Sequence, residues 1–201
     1  MDYDRLQPIF QSNQAGLLIC DMQNDYLKPP HGDFDHLGSI VGPIAGLAAE
    51  ARARGLPVAY TRRVYRADGL HASPVHKLKD FALARKTLDG TWGAQVVEEL
   101  EPRPGDVVVD KIRYSAFFQT PLETILRGLG VRFLFLTGVS THWGVEASAR
   151  DAEQRDFIPI VVSDATCSVD ASLQLASLRN ISLFIGFVVS APQALRLLAQ
   201  G

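Results

Sequence analysis

The stretch RFLFLTGVSTHWGVEASARDA, Arg132 to Ala152, changes character once along its length. RFLFLTGV (132–139) is a near-continuous apolar run, the pattern of a strand buried on both faces of a parallel sheet, and the residues after it read as the start of a helix. A sharp strand-to-helix corner is a place where a nucleophile can stand above a sheet. This corner offers Ser140, Thr141, His142 and Trp143, and then Gly144 in the first helical turn. The obvious reactive position carries no side chain.

Further apolar runs accompany this one: AGLLIC (15–20), LPVAYT (56–61), DVVVD (106–110), FIPIVVS (157–163) and SLFIGFVVS (182–190). Between them lie helical patterns, including GPIAGLAAEARARG, which ends at Gly55, TPLETILRGLG and DASLQLASLRN. Alternation of this kind predicts βαβ units and an open, doubly wound α/β sheet. Residues 62–104 interrupt it with charges and with HASP, TWG and EPRPG, and read as a long irregular excursion covering part of a pocket.

The chain has 201 residues, 47% hydrophobic and 21% charged, which suits one compact domain over 1–201. Its net charge of −2 and scattered basic residues give no footprint for nucleic acid or a membrane surface, so a small molecule is the expected partner. Cys20 lies in an apolar run and Cys167 in a loop-like stretch, which argues against a disulfide framework. The N-terminal MDYDRLQPIFQSNQ lacks the hydrophobic core of a signal peptide, and a cytoplasmic location is expected.

In such a sheet ligands bind outside the carboxyl ends of the strands, near the point where strand order reverses. Asp21, Gln23, Asn24 and Asp25 follow the first strand; Arg62, Arg63 and Tyr65 the second; Lys111 and Arg113 the third. Asp21 and Lys111 stand directly at strand ends, expected to be central ones, where burial would make them partners. Position alone leaves a functional pair and a structural ion pair equally open. Trp92, Tyr114, Phe117 and Phe118 are candidates for an aromatic pocket wall, Trp92 foremost, and Arg63, Arg66 and Arg113 for carboxylate binding. Cys167 is a packing residue or, less simply, a displaced nucleophile. HGDFDH (31–36) is the one weak metal candidate and reads more simply as a solvated loop, so no metal and no cofactor are expected.

LLICDMQNDY, VVDKIRYSAFFQT, GVSTHWGVEASARDA and RDFIPIVVSDA together resemble the isochorismatase-like hydrolase family, which includes isochorismatases, nicotinamidases and related amidases, over about residues 15 to 190. The resemblance implies a three-layer αβα sandwich around a six-stranded parallel sheet, a homo-oligomer (dimer or tetramer), and a cis peptide between Val139 and Ser140. Most members use an Asp–Lys–Cys triad, which falls here on Asp21, Lys111 and Gly144, so covalent catalysis at residue 144 is excluded. Isochorismatases also lack the cysteine and carry an HxG pattern, matched by His142, Trp143 and Gly144. They protonate a vinyl ether, water adds, and pyruvate leaves. On that reading Asp21 is the acid, Lys111 orients it and binds substrate carboxylate, and Gly144 leaves room while offering a backbone N–H. Gln23, Arg63, Trp92, Tyr114, Ser140, His142 and Trp143 are the expected substrate contacts. Arg63 stands near where an isochorismatase is expected to place glutamine. The expected function is therefore hydrolysis of a small, anionic molecule without a cysteine, best matched by vinyl-ether cleavage. The alternative is an amidase-type member whose cysteine is absent: an inactive or binding homologue, or an engineered Cys-to-Gly knockout.

Overall fold

The structure, a computed structural model, describes residues 2–28, 38–79 and 86–200. Strands β1 (Ala15–Cys20), β2 (Val58–Arg63), β3 (Val107–Lys111), β4 (Phe133–Val139), β5 (Ile158–Cys167) and β6 (Phe187–Val189) form one sheet. All pairs are parallel, in the order β3-β2-β1-β4-β5-β6. The helices are α1 (Asp2–Leu6), α2 (Asn24–Leu27), α3 (Gly38–Ala53), α4 (Pro74–Leu78), α5 (Leu122–Gly128), α6 (Glu146–Glu153), α7 (Ala171–Asn180) and α8 (Ala191–Leu198). Local chemistry fixes several of their starts: Asp170 caps α7 by accepting from the Ser172 and Leu173 N–H groups, and Ser190 and Gln193 cap α8 reciprocally.

Because successive strand residues face opposite sides, each strand feeds two cores. Leu17, Ile19, Tyr60, Phe133 and Phe135 pack with Ile44 and Leu47 of α3 and Leu197 of α8. Leu18, Ala59, Leu134 and Leu136 pack with Leu122 and Leu126 of α5 and Ala149 and Ala152 of α6. The result is the expected three-layer αβα sandwich. Burying strands from both sides is why they read as unbroken apolar runs.

Two features differ from the sequence expectation. The apolar run SLFIGFVVS predicts strand throughout, but Ile181–Ile185 forms a wide helical turn and only Phe187–Val189 joins the sheet. The segment continues α7 before it enters an edge strand, leaving Phe184 82% exposed. Lys111 was placed on a central strand, whereas β3 is an edge. Its register still serves the site, since Lys111 lies beside Arg63 of β2, and Cys20, the residue before Asp21, lies beside Thr61.

The strand order reverses between β1 and β4, so the crevice of this sheet opens where Asp21 and the 138–144 corner emerge. Gly138 makes that approach possible. Its φ is +96°, and a Cβ there would lie 2.1 Å from the Cys20 carbonyl oxygen. Any side chain would push β4 away from β1 at the mouth of the site.

Candidate active site

Asp21 leaves β1 in the left-handed region, φ 52°, a conformation uncommon for a residue with a side chain and typical of functional positions. Its carboxylate is buried and held on both oxygens. Lys111 Nζ donates to Oδ2 at 2.7 Å, and Thr61 Oγ1 donates to Oδ1 at 2.7 Å. Lys111 also donates to the carbonyl oxygens of Arg113 (3.1 Å) and Tyr114 (2.9 Å), which occupies its three N–H groups. The expected role of Lys111 as a ligand for substrate carboxylate is thereby corrected: it has no donor left to give, and it can only orient and neutralise Asp21.

The corner after β4 faces this pair. The Val139–Ser140 peptide is cis, and residues 141–145 form one wide helical turn that runs into α6. Gly144 has no positive φ, and a Cβ built on it would meet Asp21 Oδ2, the Tyr114 carbonyl and the Val139 carbonyl each at 3.5 Å, ordinary contact distance. The backbone at 144 therefore does not require glycine, and a Cβ there would stand in van der Waals contact with the Asp21 carboxylate.

Asp21, Tyr26, Arg63, Tyr114, Ser140, Trp143 and Gly144, with Val139, line one small pocket. Tyr114 and Trp143 form one aromatic wall, ring centroids 6.3 Å apart. Tyr26, which sequence reasoning did not single out, forms part of the lining, and burial pushes its phenol pKa up. Arg63 is only 5% exposed, with its guanidinium 5.2 Å from the Tyr114 ring centroid.

The remaining candidates lie elsewhere. Gln23 is fully buried behind the pocket, where its amide donates to the carbonyls of Arg63 and Ala94 and accepts from the Arg63 N–H, so it ties the excursion to β2 rather than meeting substrate. His142 packs on Trp143 at 4.5 Å between centroids, outside the pocket lining, and burial holds its pKa below the usual histidine value. Trp92 is corrected outright: it is 54% exposed and lines a separate groove with Asn24, Lys28 and Arg62. Its neighbour gives the reason. A Cβ on Gly93 would fall 2.2 Å from the Asp25 carboxyl carbon, so the inward contact of TWG belongs to the glycine.

Phe117 is buried against Phe157 and Phe118 is exposed; neither lines the pocket. Arg66 pairs with Asp68 on the surface, and Arg113 donates to the His71 carbonyl. Neither cysteine is placed as a nucleophile. Burial and then the Asp21 carboxylate push Cys20 up to about 12, and burial also raises Cys167, which is outside the pocket. HGDFDH lies outside the described residues, among which no group of His, Cys, Asp and Glu is placed to hold a metal ion. No helix among the described residues is long and apolar enough to cross a membrane.

The Isochorismatase domain family model matches residues 15–193. The chain is 36% identical over 205 aligned positions to the ureidoacrylate amidohydrolase RutB of Methylorubrum extorquens, covering 92% of this chain and 83% of that protein. Among solved structures, a cysteine hydrolase from Pseudomonas syringae pv. phaseolicola superposes with a TM-score of 0.87 at 28% identity, covering 94% of each chain. The N-carbamoylsarcosine amidase of Thermoplasma acidophilum superposes with a TM-score of 0.76 at 27% identity, covering 89% of this chain and 96% of that one. With a family model spanning both core strands and corner, and with the six-stranded parallel sheet those relatives share, the chain belongs to the isochorismatase-like hydrolases.

Proposed function

We propose that this chain hydrolyses a small molecule at an amide or ureido C–N bond without a covalent enzyme intermediate, using Asp21 to activate water. The observation that carries the reading is the placement of Asp21 Oδ2 3.5 Å from the empty Cβ position of Gly144, with Lys111 and Thr61 each donating to the carboxylate. In place of a thiol, water entering the pocket would meet a fixed proton acceptor. The relatives supply the bond type: an amidohydrolase named for a ureido compound and an amidase named for an N-carbamoyl one.

The chemistry balances without a thiol. The oxygen of water bonds to the carbonyl carbon while its proton passes to Asp21; the C–N bond then breaks, and that proton goes to the departing nitrogen. Lys111 keeps its hydrogen bond to Asp21 Oδ2 and so orients the carboxylate. Trp143, Tyr114 and Tyr26 exclude bulk water and hold the flat amide plane.

Vinyl-ether cleavage is the second reading, favoured by the His142-Trp143-Gly144 corner. It uses the same pocket with Asp21 as proton donor. Two donors already aimed at the Asp21 oxygens suit a proton acceptor better. A panel of ureido acids, simple amides and vinyl ethers, assayed with the unmodified chain and Asp21→Asn, separates the readings. Asp21-dependent release of amine supports C–N hydrolysis; Asp21-dependent pyruvate release from isochorismate supports the second reading; turnover of amides that survives Asp21→Asn rejects both.

A further inference from the structure

Arg63 is a buried cation, and the Asp21 carboxylate that acts on it is already paired with Lys111. It is 5% exposed, lines the pocket, and has its side-chain hydrogen bonds among the described residues on the Tyr65 hydroxyl and not on a carboxylate. Its Nε and Nη2 both donate to the Tyr65 hydroxyl, Nε at 2.7 Å. The guanidinium lies 5.0 Å from the Tyr65 ring centroid and 5.2 Å from that of Tyr114. These contacts fix its plane and leave the Nη1 amine without an acceptor among the described residues. Asp21, the other charged residue among the described pocket lining, is paired with Lys111. A desolvated guanidinium is costly unless an anion meets it, and a pre-aligned fork is suited to a planar carboxylate.

We infer that Arg63 is the specificity-determining residue of the site and that it binds the carboxylate of a short, flat acid whose scissile bond lies at Asp21 and Gly144. The inference rests on the hydrolytic reading for the scissile bond alone; the acid recognition is independent of it. Arg63 and Asp21 line one small pocket, so the carboxylate and the reacting carbon are separated by a spacer of a few atoms. The Tyr26, Tyr114 and Trp143 rings favour a planar, unsaturated spacer over a branched one. Tyr65 and Tyr114 are positioning residues: Tyr65 orients the guanidinium, and Tyr114, whose hydroxyl hydrogen-bonds His76 Nε2 at 3.0 Å, keeps the opposite ring in place from α4.

Crotonate and its neutral counterpart crotyl alcohol are suitable probes, because neither can be hydrolysed. Calorimetric titration should show the unmodified chain preferring crotonate by about 10- to 100-fold, the range of a charge-assisted hydrogen-bonded pair. Arg63→Met should abolish that preference and Arg63→Lys should keep part of it. Should Arg63→Met fail to fold, phenylglyoxal modification of the unmodified chain mapped by mass spectrometry serves instead: crotonate protects Arg63 and crotyl alcohol does not. Equal affinity for acid and alcohol, a preference surviving Arg63→Met, or absent protection overturns the inference. Carboxylate binding through Arg63 with no turnover of any C–N substrate sinks the hydrolytic reading alone, whereas Asp21-dependent turnover indifferent to substrate charge sinks this one alone.

Discussion

Lys111 reaches from the edge strand β3, past β2, to place its Nζ 2.7 Å from Asp21 Oδ2 at the end of β1. Both side chains are almost fully buried, and the Lys111 ammonium has its remaining N–H groups on two backbone carbonyls. The pair is thus a rigid unit. Its removal should be felt in folding as well as in catalysis.

Lys111→Met leaves a buried carboxylate unpaired and should cost about 3–5 kcal/mol of stability. Denaturant unfolding of Lys111→Met, Asp21→Asn and the double variant checks this. Coupling of at least about 1 kcal/mol is expected, the double variant being more stable than the sum of the single effects. Additive effects would show that the two charges do not depend on each other.

Thr61 donates the other hydrogen bond to Asp21, at 2.7 Å. Thr61→Val keeps the shape of this buried position and removes the donor, so the cost should be about 1–3 kcal/mol. Steady-state kinetics should place the loss mainly in kcat, because Thr61 orients Asp21, the proposed proton acceptor, and does not line the pocket. A change confined to KM would contradict that role.

How much of this was legible in the residues depends on what each signal was. The strands were legible because burial on both faces writes them as apolar runs. SLFIGFVVS misled because an edge strand of three residues and the end of a packed helix have the same local apolar content. Asp21 and Lys111 were conspicuous as charges at the ends of apolar runs, and Gly144 as a gap in a motif. Trp92 misled because its neighbour's contact with Asp25 depends on residues 68 positions apart in the chain, which no local pattern records. Thr61 and Tyr26 carry ordinary side chains for their elements. A clue to Thr61 existed nonetheless: it lies two residues before Arg63 on the same face of β2, beside Cys20 and hence beside Asp21.

Gly144→Cys should fold, since a Cβ at 144 meets nothing closer than 3.5 Å. Its sulfur would start from a position adjoining Asp21 at the first turn of the helix after β4, where a base and the helix dipole favour thiolate. Iodoacetamide should therefore alkylate residue 144 much faster than Cys20, whose thiol is pushed up to about 12, or Cys167, also raised. Peptide mapping after timed alkylation checks this. Equal reactivity at all three positions would remove the corner from the site.

Burial lowers the pKa of His142, against smaller opposing effects of Glu146 and Asp170. The unfolded chain, with a histidine pKa of about 6.5, then binds more protons than the folded chain just below that pH. The stability from this group is fully present above about pH 6.5 and is lost as pH falls toward the lowered folded value. Thermal unfolding of the parent and His142→Gln at about pH 7.5 and about pH 5.5 should show a smaller pH-dependent drop in Tm for the variant. An identical drop would assign the acid sensitivity to other groups.

Hydrolysis at this site is proposed to depend on Asp21 and on no thiol. Its most direct test is the initial rate of C–N cleavage on the best ureido acid of the panel, measured for the parent chain before and after exhaustive iodoacetamide treatment and for Asp21→Asn. The rate should be unchanged by alkylation and reduced about 10²- to 10⁴-fold by Asp21→Asn, the range for losing a positioned general base. A rate abolished by alkylation, or one that Asp21→Asn leaves intact, would contradict the proposal.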